Sequence, residues 1–163
     1  MKKITFLLAT LLGVATASAQ TYATDFTADD CSGTTHHLFS ELDAGKIVVI
    51  AWVMPCGTCV TDPVTAKSIV DSYASSHPGQ ILYYLVDDFA NTQCATLNNW
   101  ANNYGLGGLP TFSDATISMS DYETNGMPKI VVLAGYDHQV YFNANSSTQG
   151  FQAALDNALA DIA

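Results

Sequence analysis

An α/β domain, with a mixed central sheet flanked by helices and an N-terminal β-hairpin extension, is the fold class this sequence predicts. Three observations predict it. Two near-continuous apolar runs rich in β-branched residues, Lys46 to Val53 and Ile81 to Val86, read as strands buried on both faces. Segments with helical periodicity follow each of them. A second strand pair, Lys129 to Ala134 and Gln139 to Phe142, joins through Gly135-Tyr136-Asp137-His138 and precedes one last amphipathic helix. The order hairpin, β-α-β-α, then β-β-α places a mixed sheet between helices.

Element by element, Tyr22 to Leu42 opens with short alternating segments around Asp30-Cys31-Ser32-Gly33, a hairpin turn with glycine supplying the awkward backbone angles. Leu38 to Leu42 reads as one helical turn. After the strand from Lys46, a helix is expected from about Cys56 to Ala74, with Pro63 kinking it or marking its restart. His77-Pro78-Gly79 closes it. Thr92 to Tyr104 is helical by period, with Leu97, Trp100, Ala101 and Tyr104 on one face. Leu109 to Tyr122 is the least legible stretch, read as a short strand at Thr111-Phe112 and a helical turn near Met119. Ser146 or Ser147 is the expected cap of a final helix whose Phe151, Leu155, Leu159 and Ile162 form an apolar stripe.

Residues 1–19 carry the marks of an export signal. Lys2 and Lys3 precede an apolar stretch from Ile4 to Ala15, and Ala17-Ser18-Ala19 is an A-x-A cleavage signal. That stretch, about 12 residues, is short of the roughly 20 needed to cross a bilayer. Cleavage after Ala19 leaves a single domain, residues 20–163, with no membrane span and a periplasmic or extracellular destination, where disulfides persist. It keeps three lysines (Lys46, Lys67, Lys129) against fifteen acids and no arginine. Such a surface repels phosphate backbones and anionic head groups, so nucleic acid is excluded as a partner and lipid is disfavoured.

The chemistry sits in Pro55-Cys56-Gly57-Thr58-Cys59, directly behind the first buried strand. A strand that delivers a C-x-x-C pair to the first turn of a helix is a dithiol–disulfide device. The helix start stabilises a thiolate, and the thiolate is the attacking species, so Cys56 is the reactive thiol. A zinc site would need two more ligands, and Cys31 and Cys94 are lone cysteines with no paired histidine spacing. His36 and His37, adjacent on a strand, point to opposite faces and read as surface residues. No metal and no cofactor is implied. Cys31 and Cys94 read as a structural disulfide, the rival reading being an electron relay to Cys56; the even cysteine count supports pairing but does not fix it.

Phe39-Ser40-Glu41-Leu42, then Lys46-Ile47-Val48-Val49 with Trp52, then the C-x-x-C, then Gly126-Met127-Pro128-Lys129 before the next-to-last strand, resemble the thioredoxin superfamily, in its exported TlpA-like or redoxin branch. The resemblance runs from about Phe26 to the C-terminus. It implies a thiol–disulfide oxidoreductase in which Cys56 is nucleophile, Cys59 resolving thiol and Pro128 a cis-proline. The backbone at Met127 would pair with a substrate strand, and the partners would be exported proteins with disulfides or thiols and a separate redox partner. A monomer is expected. Where many thioredoxins carry a buried aspartate this chain has Ile50, while Asp62, three residues after the second cysteine, is a candidate base for Cys59 or simply a solvated acid at a helix start. Pro55 stands where a tryptophan is usual and alters the rim a partner would touch. Trp52 is core, close enough to shield the disulfide. Two other readings stay open. One is a non-catalytic secreted or cell-surface binding module stabilised by its disulfides. The other, weaker, is a thiol peroxidase, for which the P-x-x-x-(T/S)-x-x-C positions are here Val49 and Val53.

Overall fold

Valine, isoleucine and tryptophan alternate down the strand Ile47–Val53, and every residue of it is buried. Ile47, Val49, Ala51 and Val53 face one hydrophobic cluster. Val48, Ile50 and Trp52 face another. A strand apolar on both faces belongs in the middle of a sheet covered on both sides, and that is where this one lies. The computed structural model describes residues 21–123 and 125–163; the signal segment and its cleavage site lie outside the described residues.

The described chain begins with a two-stranded hairpin, Thr27–Asp29 (β1) and Thr35–His37 (β2). The Asp30 carboxylate shapes its turn, accepting the backbone N–H groups of Ser32 (2.8 Å) and Thr34 (3.0 Å) and the Ser32 hydroxyl (2.6 Å). Burial works against the charge, but the Ser32 hydroxyl and the two N–H groups outweigh it and hold the Asp30 pKa down at about 2. Helix α1 is Leu38–Asp43, and the buried strand Ile47–Val53 is β3. After β3 come α2 (Thr61–Ser72), β4 (Ile81–Asp87), α3 (Cys94–Asn103), the two-residue β5 (Thr111–Phe112) and a 3-10 turn at Met119–Tyr122. Lys129–Ala134 (β6), Gln139–Asn145 (β7) and Phe151–Asp161 (α4) complete the fold. The main sheet has the order β5-β4-β3-β6-β7. β3, β4 and β5 run parallel, and β6 runs antiparallel to β3 and β7. The parallel strands therefore end at the same edge, where the cysteine pair emerges.

Three local expectations change, and a fourth, for Pro63, is decided between its two alternatives. The α-helix starts at Thr61, not Cys56; a separate 3-10 turn spans Gly57–Cys59. Of the two expectations for Pro63 the second holds: it sits in the first turn of α2, where no intrahelical N–H is required, and marks the start of the helix without kinking it. Neither Ser146 nor Ser147 caps α4. Gly150, at φ 84°, precedes that helix, and the Ser147 hydroxyl accepts the Gln149 N–H instead. His36 is not a surface residue. It lies between Asp30 (3.3 Å), Glu41 (3.2 Å) and the Tyr84 hydroxyl (2.9 Å), whose O–H donates to Glu41 (2.6 Å). The hairpin folds back onto β4, and this polar knot fastens it there.

Candidate active site

Residues 54–60 make the turn between β3 and α2. Cys56 is extended (φ −139°, ψ 166°) and its N–H donates to the Met54 carbonyl at 2.6 Å. The 3-10 turn then carries Cys59 inward, 4 % exposed and in one cluster with Ala66, Val70 and Leu97, while Cys56 stays half-buried at the rim. The two sulfurs are 3.3 Å apart and both are free thiols. The Thr58 hydroxyl lies 3.1 Å from Cys56 Sγ.

These neighbours drive the two thiols in opposite directions. The Thr58 hydroxyl first, then the Cys59 S–H and the backbone N–H groups of Thr58 and Cys59, stabilise a thiolate on Cys56 and lower its pKa. Burial, together with the adjacent Cys56, raises that of Cys59. The result is one accessible thiol that ionises early beside one buried thiol that holds its proton. Such a pair is suited to nucleophilic attack by the outer sulfur and subsequent closure by the inner one.

Met127–Pro128 joins at a cis peptide bond directly before β6, which pairs with β3. Met127 touches both hydrophobic clusters. Its carbonyl accepts the Ser146 hydroxyl (3.0 Å), and its N–H makes no hydrogen bond among the described residues. Pro55 is half-buried next to the exposed Met54. Asp62 occupies the first turn of α2 and bonds neither thiol. Cys31 and Cys94 form a disulfide with each other, tying the hairpin turn to the first residue of α3.

Trp52 does not line this site. Strand alternation turns it to the face opposite Cys59, fully buried, with its indole N–H donating to the Ile117 carbonyl at 2.9 Å. The tryptophan that meets the cysteine pair is Trp100, from α3. Its Nε1–H donates to the Cys56 carbonyl at 3.0 Å. Helical periodicity marks Trp100 as inward-facing, and nothing local in sequence marks its partner. Asp87 and Asp88, at the end of β4, belong to no motif that would draw attention to them. Asp87, 1 % exposed, accepts the N–H groups of Asn91 (2.7 Å) and Thr92 (3.0 Å), and the Asp88 N–H donates to the Val53 carbonyl (3.0 Å). Burial, then the neighbouring Asp87, pushes the Asp88 pKa up.

No protein-family model matches the chain, and no curated protein matches it. Solved structures do. The chain is similar to a thiol:disulfide interchange protein of the thioredoxin family from Chlorobium tepidum TLS, at TM-score 0.64 and 16 % identity over 89 % of this chain and 99 % of that one. It is similar to the thioredoxin domain of a thiol-disulfide oxidoreductase from Bacteroides vulgatus, at TM-score 0.64 and 11 % identity over 88 % and 99 %. It is also similar to a secreted Mycobacterium tuberculosis disulfide oxidoreductase homologous to E. coli DsbE, at TM-score 0.59 and 15 % identity over 81 % and 95 %. The fold is therefore thioredoxin-like, with an N-terminal hairpin added.

Proposed function

We propose that this protein is an exported thiol–disulfide oxidoreductase that exchanges disulfides with other exported proteins. One observation carries the proposal: the Cys56 and Cys59 sulfurs lie 3.3 Å apart with opposed acidities, at the sheet edge where the parallel strands end. In the reducing direction the Cys56 thiolate attacks one sulfur of a client disulfide. A mixed disulfide forms and the client's other sulfur leaves as thiolate. Cys59 then loses its proton and attacks Cys56 Sγ, which expels the second client thiolate and closes a Cys56–Cys59 disulfide. The client gains two electrons and the enzyme loses two; the reverse sequence oxidises a client dithiol.

The register of β6 on β3 sets Lys129 opposite Trp52, so the buried Pro128 falls beside the end of β3 from which the cysteine turn departs. The Met127 N–H, unbonded among the described residues, is the donor offered to an extended client segment, with Met54 and Pro55 on the rim. Asp62, in the first turn of the helix that follows the cysteine pair, is the candidate base for Cys59. Export rests on the signal segment read in the sequence, with a secreted protein among the structures of similar fold. The test is dithiol-driven reduction of insulin. Cys56→Ser abolishes it and leaves the circular dichroism unchanged, and Cys59→Ser accumulates a mixed disulfide with the client. Unchanged reduction by Cys56→Ser, or a Cys56–Cys59 potential far below roughly −300 mV, refutes the assignment in favour of a structural bridge.

A further inference from the structure

The peptide between Cys56 and Gly57 leads from the extended Cys56 into the 3-10 turn that carries Thr58 and Cys59. Gly57 is exposed, and a Cβ there would meet nothing within 4 Å, so neither side chain nor packing on the glycine side restrains that peptide plane. Yet the plane must be restrained. The Thr58 hydroxyl and the N–H groups of Thr58 and Cys59 reach back to Cys56 Sγ only while the turn keeps its direction. No cation substitutes for these donors. Among the described residues neither lysine nor histidine is bonded to the Cys56 sulfur, whose partners are Thr58 and Cys59.

The restraint comes from across the cluster. Trp100 is 7 % exposed, packs in the same hydrophobic cluster as Cys59, and places its Nε1–H 3.0 Å from the Cys56 carbonyl oxygen. Its ring lies against Tyr104 (centroids 5.3 Å apart), and the helix that carries it is anchored at its first residue by the Cys31–Cys94 bridge. We propose that Trp100 is a positioning residue for the Cys56 thiol: its indole N–H locks the Cys56 carbonyl and so fixes the turn whose donors point at Sγ. The indole acts on the backbone of the reacting residue and not on its sulfur.

The inference rests on Cys56 being the reacting thiol of the proposed function, but its test reads the thiol directly. The pH midpoint of Cys56 ionisation is measured on the reduced chain by iodoacetamide alkylation, with the labelled peptide identified by mass. Trp100→Phe keeps an aromatic ring and removes the donor. Its midpoint is expected to move upward and its alkylation rate at pH 7 to fall about three- to tenfold, the range a lost hydrogen bond supports. Leu97→Ala, on the same helix and fully buried in the same cluster, costs stability but keeps the indole N–H, and its midpoint stays at the wild-type value. Should Trp100→Phe fail to fold, replacing Trp100 with benzothienylalanine (sulfur for N–H, the same shape) decides the matter, with the same upward shift expected. A wild-type midpoint in the donor-free chains, or an equal shift in Leu97→Ala, overturns the proposal. Failure of the wild-type chain to reduce insulin would instead remove the function while leaving the positioning result to be read.

Discussion

Breaking the Cys31–Cys94 bridge is the perturbation whose size the structure sets most directly. The bridge spans a sequence separation of 63 residues and joins the hairpin turn to α3. Beside it the Cys31 N–H donates to the Thr111 carbonyl (2.7 Å), tying the same turn to β5. On the chain-entropy account, a loop of that length restricts the unfolded ensemble by about 4 kcal/mol. The measurement is urea unfolding of a chain carrying Cys31→Ala and Cys94→Ala. The reference is a chain that keeps the bridge, and both have Cys56 and Cys59 replaced by serine so that no thiol exchange intervenes. With a slope of roughly 2 kcal/mol per molar urea, the midpoint falls by about 2 M, and the slope rises a little because the unlinked chain unfolds to a more exposed ensemble. A loss below about 1 kcal/mol would refute the reasoning. The polar knot around His36 and the packing of α3 would then hold the hairpin without covalent help.

Two further expectations concern acid. Asp30 is held at about 2 in the fold against 3.8 as its ordinary value, so its contribution is complete above the ordinary value and lost as pH falls through 2. Asp30→Asn should therefore destabilise the fold at neutral pH by about 1 kcal/mol in denaturant titrations, less than the full shift because solvent reaches and screens the carboxylate, and by little near the bottom of that window. An unchanged difference between the two chains across the window would sink the assignment. Asp88 has the opposite sign. Its folded pKa is raised, so the fold favours the protonated carboxyl; the penalty sets in as pH rises through the ordinary value and is complete above the raised one. Asp88→Asn is expected to raise Tm at pH 7 by a few degrees and to leave it unchanged near pH 3, and a lowered Tm at neutral pH would contradict the burial argument.

The parts of this molecule governed by local patterns are legible in its sequence. Continuous apolar runs mark β3, β4 and β6, and the i, i+3, i+4, i+7 spacing of Leu97, Trp100, Ala101 and Tyr104 marks α3. The strand followed by C-x-x-C, with Met127-Pro128 further on, marks the candidate site. What stays hidden is long-range. Which face of β3 Trp52 occupies depends on which layer the cysteine turn packs against, and Trp100 bonds a carbonyl 44 residues away. His36 resembles any exposed polar strand residue because its three partners come from the turn, α1 and β4. The start of α2 reads too early in the sequence because a 3-10 turn and an α-helix share their residue preferences and differ only in which carbonyl each N–H reaches.

The opposed placement of the two tryptophans gives this protein a built-in optical gauge. Trp100 sits one hydrogen bond from the carbonyl of the cysteine whose sulfur would gain or lose a partner. Trp52 lies under the other face of the sheet, screened by β3 itself. One indole thus stands beside the cysteine pair and its twin on the far side of the sheet, so a change in the Cys56–Cys59 bond is expected to alter the emission of Trp100 and spare that of Trp52.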